Sequence, residues 1–166
     1  MKLELRNIKV HGKLSQETLC YSATVHVDGK PAVDVTNRGH GGCDEQHLRQ
    51  GVAVTIEQLN AHMAETQSPL DRARYGMKPV PCDLERWCHR EVTDSQNRKD
   101  FQRTLKRKIC FVENNAVAGV SYKGTRTLEP RHFAHFAEKN PGIVTLNSIP
   151  FEEAWAIAKP LIVPAA

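Results

Sequence analysis

The sequence has no long apolar run, and this absence argues against one class of protein. A membrane-spanning helix needs roughly 18 or more consecutive apolar residues. No such run occurs here, although 40% of the 166 residues are hydrophobic. The N-terminal "MKLELR" alternates apolar and charged side chains, unlike the apolar stretch of a secretion signal. We therefore expect a cytoplasmic protein without a membrane partner.

Cysteine is also sparse. Five cysteines, an odd number, are spread over the whole chain. A small secreted protein held together by disulfides would show an even and much denser set. Cys20 and Cys110 lie in strand-like runs, where a free cysteine acts as a small apolar side chain. We expect all five thiols to be reduced.

Strand patterns are present in two regions of the chain. A first strand is expected around Leu3–Val10. Apolar and polar residues then alternate in "ETLCYSATVHV", and "DGK" supplies a tight turn into the partner strand "AVDVTN". A second hairpin is predicted to turn on Asn114–Asn115, and "IVTLN" is predicted to be a short buried strand.

Helix patterns follow each group of strands. Thr55 and Gln58 have the spacing of a capping box ahead of an apolar helical face. Asp83 is placed to cap a longer helix, which we expect the segment 93–95 to break before the basic stretch. Pro130 is expected to begin a short helix, and Pro150 the final helix of the chain.

The order of these elements indicates an α+β fold. We predict an antiparallel sheet built from two hairpins plus a short strand, with four to five helices packed on it. The length suits a single domain over residues 1–160, followed by a loosely held tail, 161–166.

The loop "NRGHGGCDEQH", residues 37–47, is dense in reactive side chains, and three interpretations stay open. Imidazole and thiolate are good zinc ligands, so a zinc site would use His40, Cys43, His47, Cys82, Cys88 and His89. A hydrolytic site with a cysteine nucleophile or a metal would use His40, Cys43, Asp44 and His47. The spacing matches no common zinc motif and no complete catalytic set. A polar turn closed by glycines is the interpretation we favour, without a cofactor.

Basic residues cluster in one stretch. From Arg98 to Lys108, "RKDFQRTLKRK" holds six cations and one acid. On a helix they would spread over the face opposite Phe101 and Leu105, as a surface that neutralises phosphates. The predicted nucleic-acid-binding residues are Arg90, Arg98, Lys99, Arg103, Lys106, Arg107 and Lys108. A solvated helix end is the alternative.

Aromatic residues make up only 6% of the chain. Most of them fall at predicted core positions, which leaves Tyr75 and Tyr122 as candidates for stacking on bases. We therefore expect little sequence-specific recognition of single strands.

The order of "VHVDGKPAVDVTNRGHGGCDEQH", a basic helix leading into a strand, and "IVTLNSIPFEEAWAI" resembles small proteins encoded by phages and other mobile elements of bacteria. The resemblance covers most of the chain and brings no catalytic motif. It implies a context in which small proteins bind nucleic acid or block a host defence complex, as anti-CRISPR proteins do.

Three functions are therefore considered. We expect a protein that binds nucleic acid or a nucleoprotein complex through the basic helix. The alternative is a hydrolytic enzyme centred on the glycine loop. A third hypothesis is an inhibitor of another protein, with the proline-rich segment from Ser68 to Pro81 as its contact.

Overall fold

The computed structural model describes residues 1–70 and 76–163. This chain forms two compact units, Met1–Ser95 (unit 1) and a second that begins at Gln96 (unit 2), and each has its own apolar core. The prediction of a single domain over residues 1–160 stays a prediction.

Unit 1 is built on a four-stranded antiparallel sheet with the strand order β1-β2-β3-β4. Its strands are β1 (Leu3–Val10), β2 (Tyr21–Val27), β3 (Lys30–Asn37) and β4 (Glu45–Leu48). The predicted turn between β2 and β3 is confirmed: Asp28 and Gly29 have φ of 47° and 82°, as a tight hairpin turn requires. The strand β4 was not predicted.

The first helix, α1 (Ile56–Thr66), begins as predicted. Thr55 Oγ1 accepts from the Gln58 amide at 3.3 Å, and the Gln58 side chain accepts from the Thr55 amide at 2.9 Å. This reciprocal pair satisfies two backbone donors at the helix start. Leu59 and Met63, one turn apart, are buried in the core of unit 1.

The second helix, α2 (Leu84–Arg107), is a single helix of 24 residues. The Asp83 carboxylate accepts from the Arg86 amide at 2.8 Å, which confirms the predicted cap. The predicted break at 93–95 is wrong. Val92 is fully buried just before this segment, and tertiary packing of a helix outweighs the weak helix propensity of Thr, Asp and Ser.

Unit 2 contains a separate two-stranded sheet and two helices. The elements are β5 (Ile109–Glu113), β6 (Ala116–Val120), α3 (Pro130–Lys139) and α4 (Phe151–Ile162). The hairpin turns on Asn114 and Asn115 as predicted, with φ of 49° and 58°. The buried residues of α4 are Ala154, Trp155 and Ala158.

One prediction about the C-terminal region is wrong. The segment "IVTLN" does not form a strand. Val144 is 70% exposed, and Thr145 forms an isolated bridge to Phe111. Leu146, which is buried, begins a short 3-10 turn. The last helix, α4, continues to Ile162, and the loosely held tail over residues 161–166 stays a prediction. Residues 164–166 of the tail lie outside the described residues.

The α+β class is confirmed, with the difference that the strands form two antiparallel sheets. Among residues 1–70 and 76–163, none of the helices has both the length and the apolarity to cross a membrane.

Candidate functional site

The glycine loop that follows β3 is organised by the buried side chain of Asn37. Its Oδ1 accepts from the Gly39 amide and from Thr18 Oγ1, both at 2.8 Å. Its Nδ2 donates to the Gly42 carbonyl at 3.1 Å and to Asp44 Oδ1 at 2.9 Å. One amide therefore fixes both ends of the loop, which is typical of a turn held by an asparagine side chain.

Gly39 is required at its position for two reasons. Its φ of +85° is one that side-chain-bearing residues rarely adopt. A Cβ there would also lie 2.6 Å from the Leu14 carbonyl oxygen and 2.9 Å from Cys20 Cβ. The Gly39 carbonyl accepts from the amides of Gln16 and Glu17 at 2.9 and 3.0 Å. The glycines thus pack the loop against the segment before β2.

Asp44 joins the loop to the interior of unit 1. The hydroxyl of Tyr21, whose side chain is 1% exposed, donates to Asp44 Oδ2. The Asp44 amide donates to Glu85 Oε1 at 3.3 Å. Burial, followed by the hydrogen bond to Asp44, raises the pKa of Tyr21 far above that of a free tyrosine. The phenol therefore stays neutral and donating at neutral pH.

A cleft of about 260 Å³ lies beside this loop. Its lining includes Cys43, Asp44, Glu85 and His89. Two of the four residues of the alternative catalytic set, Cys43 and Asp44, therefore reach it, whereas His40 and His47 do not line it.

The two histidines of the loop motif lie elsewhere in unit 1. His40 Nδ1 lies 3.2 Å from Gln16 Oε1. His47 is an exposed residue of β4, paired in register with Asp34. Neither imidazole is therefore hydrogen-bonded to Cys43, as activation of a cysteine nucleophile would require.

The alternative zinc set is divided in the same way. Cys43 and His89 line the cleft, whereas Cys82 and Cys88 are buried in the core of unit 1. Burial is the main cause that raises the pKa of both core thiols, and Asp44 adds to the rise at Cys88. In the described parts of the chain, no three His, Cys, Asp or Glu side chains are grouped to hold a metal ion.

The predicted nucleic-acid-binding residues fall into two groups. Four of them are exposed and make no ion pair with any described residue. These four, which we name the basic row, are Lys99, Lys106, Arg107 and Lys108. Lys99 and Lys106 are two helical turns apart, about 10 Å along the axis of α2.

The other three cations are engaged within the protein. Arg98 pairs with Glu152 and lies over the ring of Phe151, 5.2 Å from its centroid. Arg90 donates to Gln67 Oε1 at 2.6 Å. Arg103 pairs with Asp100 of the same helix at 2.5 Å, with both side chains more than half exposed. A pair this exposed is weak, so a phosphate can displace the carboxylate from Arg103.

The charge of the chain is unevenly divided between the two units. Eleven basic and six acidic residues follow Ser95 and give unit 2 a net charge of +5. Twelve basic and thirteen acidic residues give unit 1 a net charge of −1. The overall +4 therefore understates how basic unit 2 is.

The end of α2 is capped by two residues that the sequence did not indicate. The Leu128 amide donates to the Lys106 carbonyl at 3.0 Å. Asn147 Nδ2 donates to the carbonyls of Leu105 at 2.6 Å and Lys108 at 3.0 Å. Exposed carbonyls at a helix C-terminus repel anions. Their satisfaction here removes part of that repulsion next to the basic row.

Tyr122 is held in place by the protein. Its hydroxyl donates to the His132 carbonyl at 3.0 Å, and its ring lies 4.6 Å from the His132 ring. The His132 ring is itself buried, and its Nδ1 accepts from the Glu129 amide at 2.9 Å. The other stacking candidate, Tyr75, lies outside the described residues.

No protein-family model, curated protein or solved structure matches the chain.

Proposed function

We propose that this protein binds nucleic acid, free or displayed on a nucleoprotein complex, through the basic row, whose members lie on α2 and directly after its last residue. The observation that carries the proposal is the exposure of four cations that have no acidic partner among the described residues. Phosphates are the anions that such a surface neutralises, and the release of their counterions supplies the binding free energy.

The distribution of charge supports the same partner. The basic row lies in the unit with a net charge of +5, so the field of the whole unit attracts a polyanion to it. Cations that contact only phosphates carry no base information, so the proposed binding is largely independent of sequence.

The experiment is a salt titration of binding to a fluorescent 20-base-pair duplex, followed by anisotropy. The test variant is Lys99→Gln/Lys106→Gln/Arg107→Gln. Log K falls as log salt concentration rises, and we give the slope of this line as its magnitude. Each lost phosphate contact lowers the slope by about 0.9. We expect weaker binding and a slope lower by up to about 2.7.

The matched control is Lys9→Gln/Lys13→Gln/Lys30→Gln in unit 1. It removes the same three charges from residues that are exposed and make no ion pair with a described residue. We expect the wild-type slope. Equal effects of the two triple variants, or no salt-dependent binding by the wild type, would contradict the proposal.

The resemblance to phage and mobile-element proteins extends the proposal to a nucleoprotein target, such as a host defence complex. The phosphates of bound RNA or DNA offer the same chemistry as those of a free duplex. The basic-row variant should then lose affinity for such a complex while the control variant retains it.

A further inference from the structure

The segment between β6 and α3 carries two cations that the sequence analysis did not select, Lys123 and Arg126. Both are exposed, and in the described parts of the chain neither forms an ion pair. We name residues 121–128 the basic turn. Its position in unit 2 is set by hydrogen bonds at both of its ends.

At its first end, the basic turn is fixed to α3. Tyr122 donates its hydroxyl to the His132 carbonyl at 3.0 Å, and the centroids of the two rings lie 4.6 Å apart. The Thr125 amide donates back to the Tyr122 carbonyl at 3.1 Å, and Gly124 has the φ of +78° that this tight turn needs. Lys123 therefore lies at the tip of a closed turn.

At its second end, the basic turn is fixed to α2. The Leu128 amide donates to the carbonyl of Lys106, which is itself a member of the basic row. Arg126 is two residues before this hydrogen bond, and Arg107 directly follows Lys106. The hydrogen bond thus places two basic segments side by side, although they are about twenty residues apart in the chain.

We infer that the basic turn belongs to the same binding surface as the basic row. Lys123 and Arg126 then bind phosphates of the nucleic acid that the basic row contacts. This inference rests on the proposed function. Cations on two neighbouring segments can contact phosphates of both strands of one duplex at the same time. The partner of this two-element surface is a double-stranded nucleic acid, bound through its backbone.

The test is a salt titration of Lys123→Gln/Arg126→Gln on a 20-base-pair duplex and on a single strand with the same number of phosphates. Two lost contacts should lower the duplex slope by about 1.8. The slope for the single strand should fall by about 0.7 or less, which corresponds to at most one lost contact. A single strand has no second strand for the basic turn to contact. Lys9→Gln/Lys30→Gln, which also removes two exposed charges, should leave both slopes unchanged.

The possible failures are distinguishable. If the duplex slope of Lys123→Gln/Arg126→Gln equals that of Lys9→Gln/Lys30→Gln while the basic-row variant still lowers it, the inference is wrong and the proposed function stands. An equal fall of the slope on duplex and single strand would refute the double-stranded partner.

A vesicle control tests both proposals together. If the wild type binds vesicles of anionic phospholipid with the same affinity and slope as the duplex, the surface is a general polyanion site and both proposals are overturned. Circular dichroism of each variant confirms that it is folded.

Discussion

Arg98 of α2 covers the ring of Phe151 at the start of α4, with its guanidinium carbon 5.2 Å from the ring centroid. The same guanidinium pairs with Glu152. The Phe151 ring in turn lies 6.3 Å from the ring of Phe101, a buried residue of α2. Within unit 2, Arg98 therefore links the C-terminal part of α2 to α4, and its charge is already engaged inside the protein.

This arrangement separates Arg98 from the basic row in a measurable way. We expect Arg98→Ala to lower the unfolding free energy by about 1 kcal/mol, since both the cation–π contact and the partly exposed ion pair are modest. The salt slope of duplex binding should stay at the wild-type value. Urea denaturation and the salt titration give the two quantities.

The comparison for Arg98 is Arg103→Ala, on the same helix. Its ion pair with Asp100 is local and exposed, so we expect a change in unfolding free energy of less than about 0.5 kcal/mol and a salt slope lower by about 0.9. The reverse pattern, in which Arg98→Ala changes the slope and Arg103→Ala does not, would show that the cations have been assigned the wrong roles.

Gly39→Ala should be far more destabilising than Gly51→Ala. Both glycines have a positive φ, of 85° and 80°, which costs an alanine about 1–2 kcal/mol. Only at Gly39 does the added Cβ meet backbone, so we expect a total loss above about 3 kcal/mol there. Urea denaturation of the two variants measures the difference, and equal losses would show that the loop yields to the new methyl group.

Stability should fall at alkaline pH because of Tyr21. Burial raises its pKa in the folded state above the value of about 10 in an unfolded chain. Above pH 10 the unfolded chain therefore releases a proton that the folded chain retains. The unfolding free energy should then decrease by up to about 1.4 kcal/mol per pH unit from this residue.

Tyr21→Phe isolates this contribution. The variant lacks the donor to Asp44 and should be less stable at pH 8 by about 2 kcal/mol. Its loss of stability between pH 10 and 11 should be smaller than that of the wild type, because the variant lacks the phenol whose pKa differs between the folded and the unfolded chain. Parallel curves for the two proteins over this range would contradict the assignment.

Thiol labelling should distinguish Cys43 from the other cysteines. Cys43 is exposed, whereas Cys20, Cys82, Cys88 and Cys110 are buried. Burial raises the pKa of the last three, so they stay protonated and unreactive at neutral pH. A disulfide reagent should therefore modify one thiol per native chain at once, and five per chain in guanidinium chloride.

The assignment is checked with Cys43→Ser, which should remove the rapid reaction. Two or more rapidly reacting thiols in the native wild type would mean that a buried cysteine is accessible in solution. Stoichiometric zinc in the purified protein would also contradict the placement of Cys82 and Cys88 in the core.

The local features of the fold could be predicted from the sequence. The turns at Asp28–Gly29 and Asn114–Asn115, the capping box of Thr55 and the cap of Asp83 each depend on residues within a few positions of one another. Strand β4 could not be predicted, because "EQHL" has no apolar alternation and is defined by its backbone pairing with β3. The break predicted at residues 93–95 does not occur, because packing of the helix outweighs the weak helix propensity of these residues.

The candidate site was predictable only in its composition. The cluster of basic residues is evident in the sequence, but which cations are free depends on partners far along the chain, as with Arg98 and Glu152. The contribution of Arg126 depends on the hydrogen bond of Leu128 to Lys106. Asn37 is the first residue of the loop motif, but its role in holding the loop could not be predicted. That role depends on a hydrogen bond from Thr18, which is 19 residues earlier in the chain.

The order of the strands in unit 1 has a consequence for how this part of the protein folds. Each of the four strands pairs only with strands that adjoin it in the sequence. Every pairing therefore closes a short loop, which costs little chain entropy. Sheets of this kind have a low contact order, and a low contact order goes with fast folding. The sheet that carries the glycine loop can therefore form by successive hairpins, without waiting for a contact between distant parts of the chain.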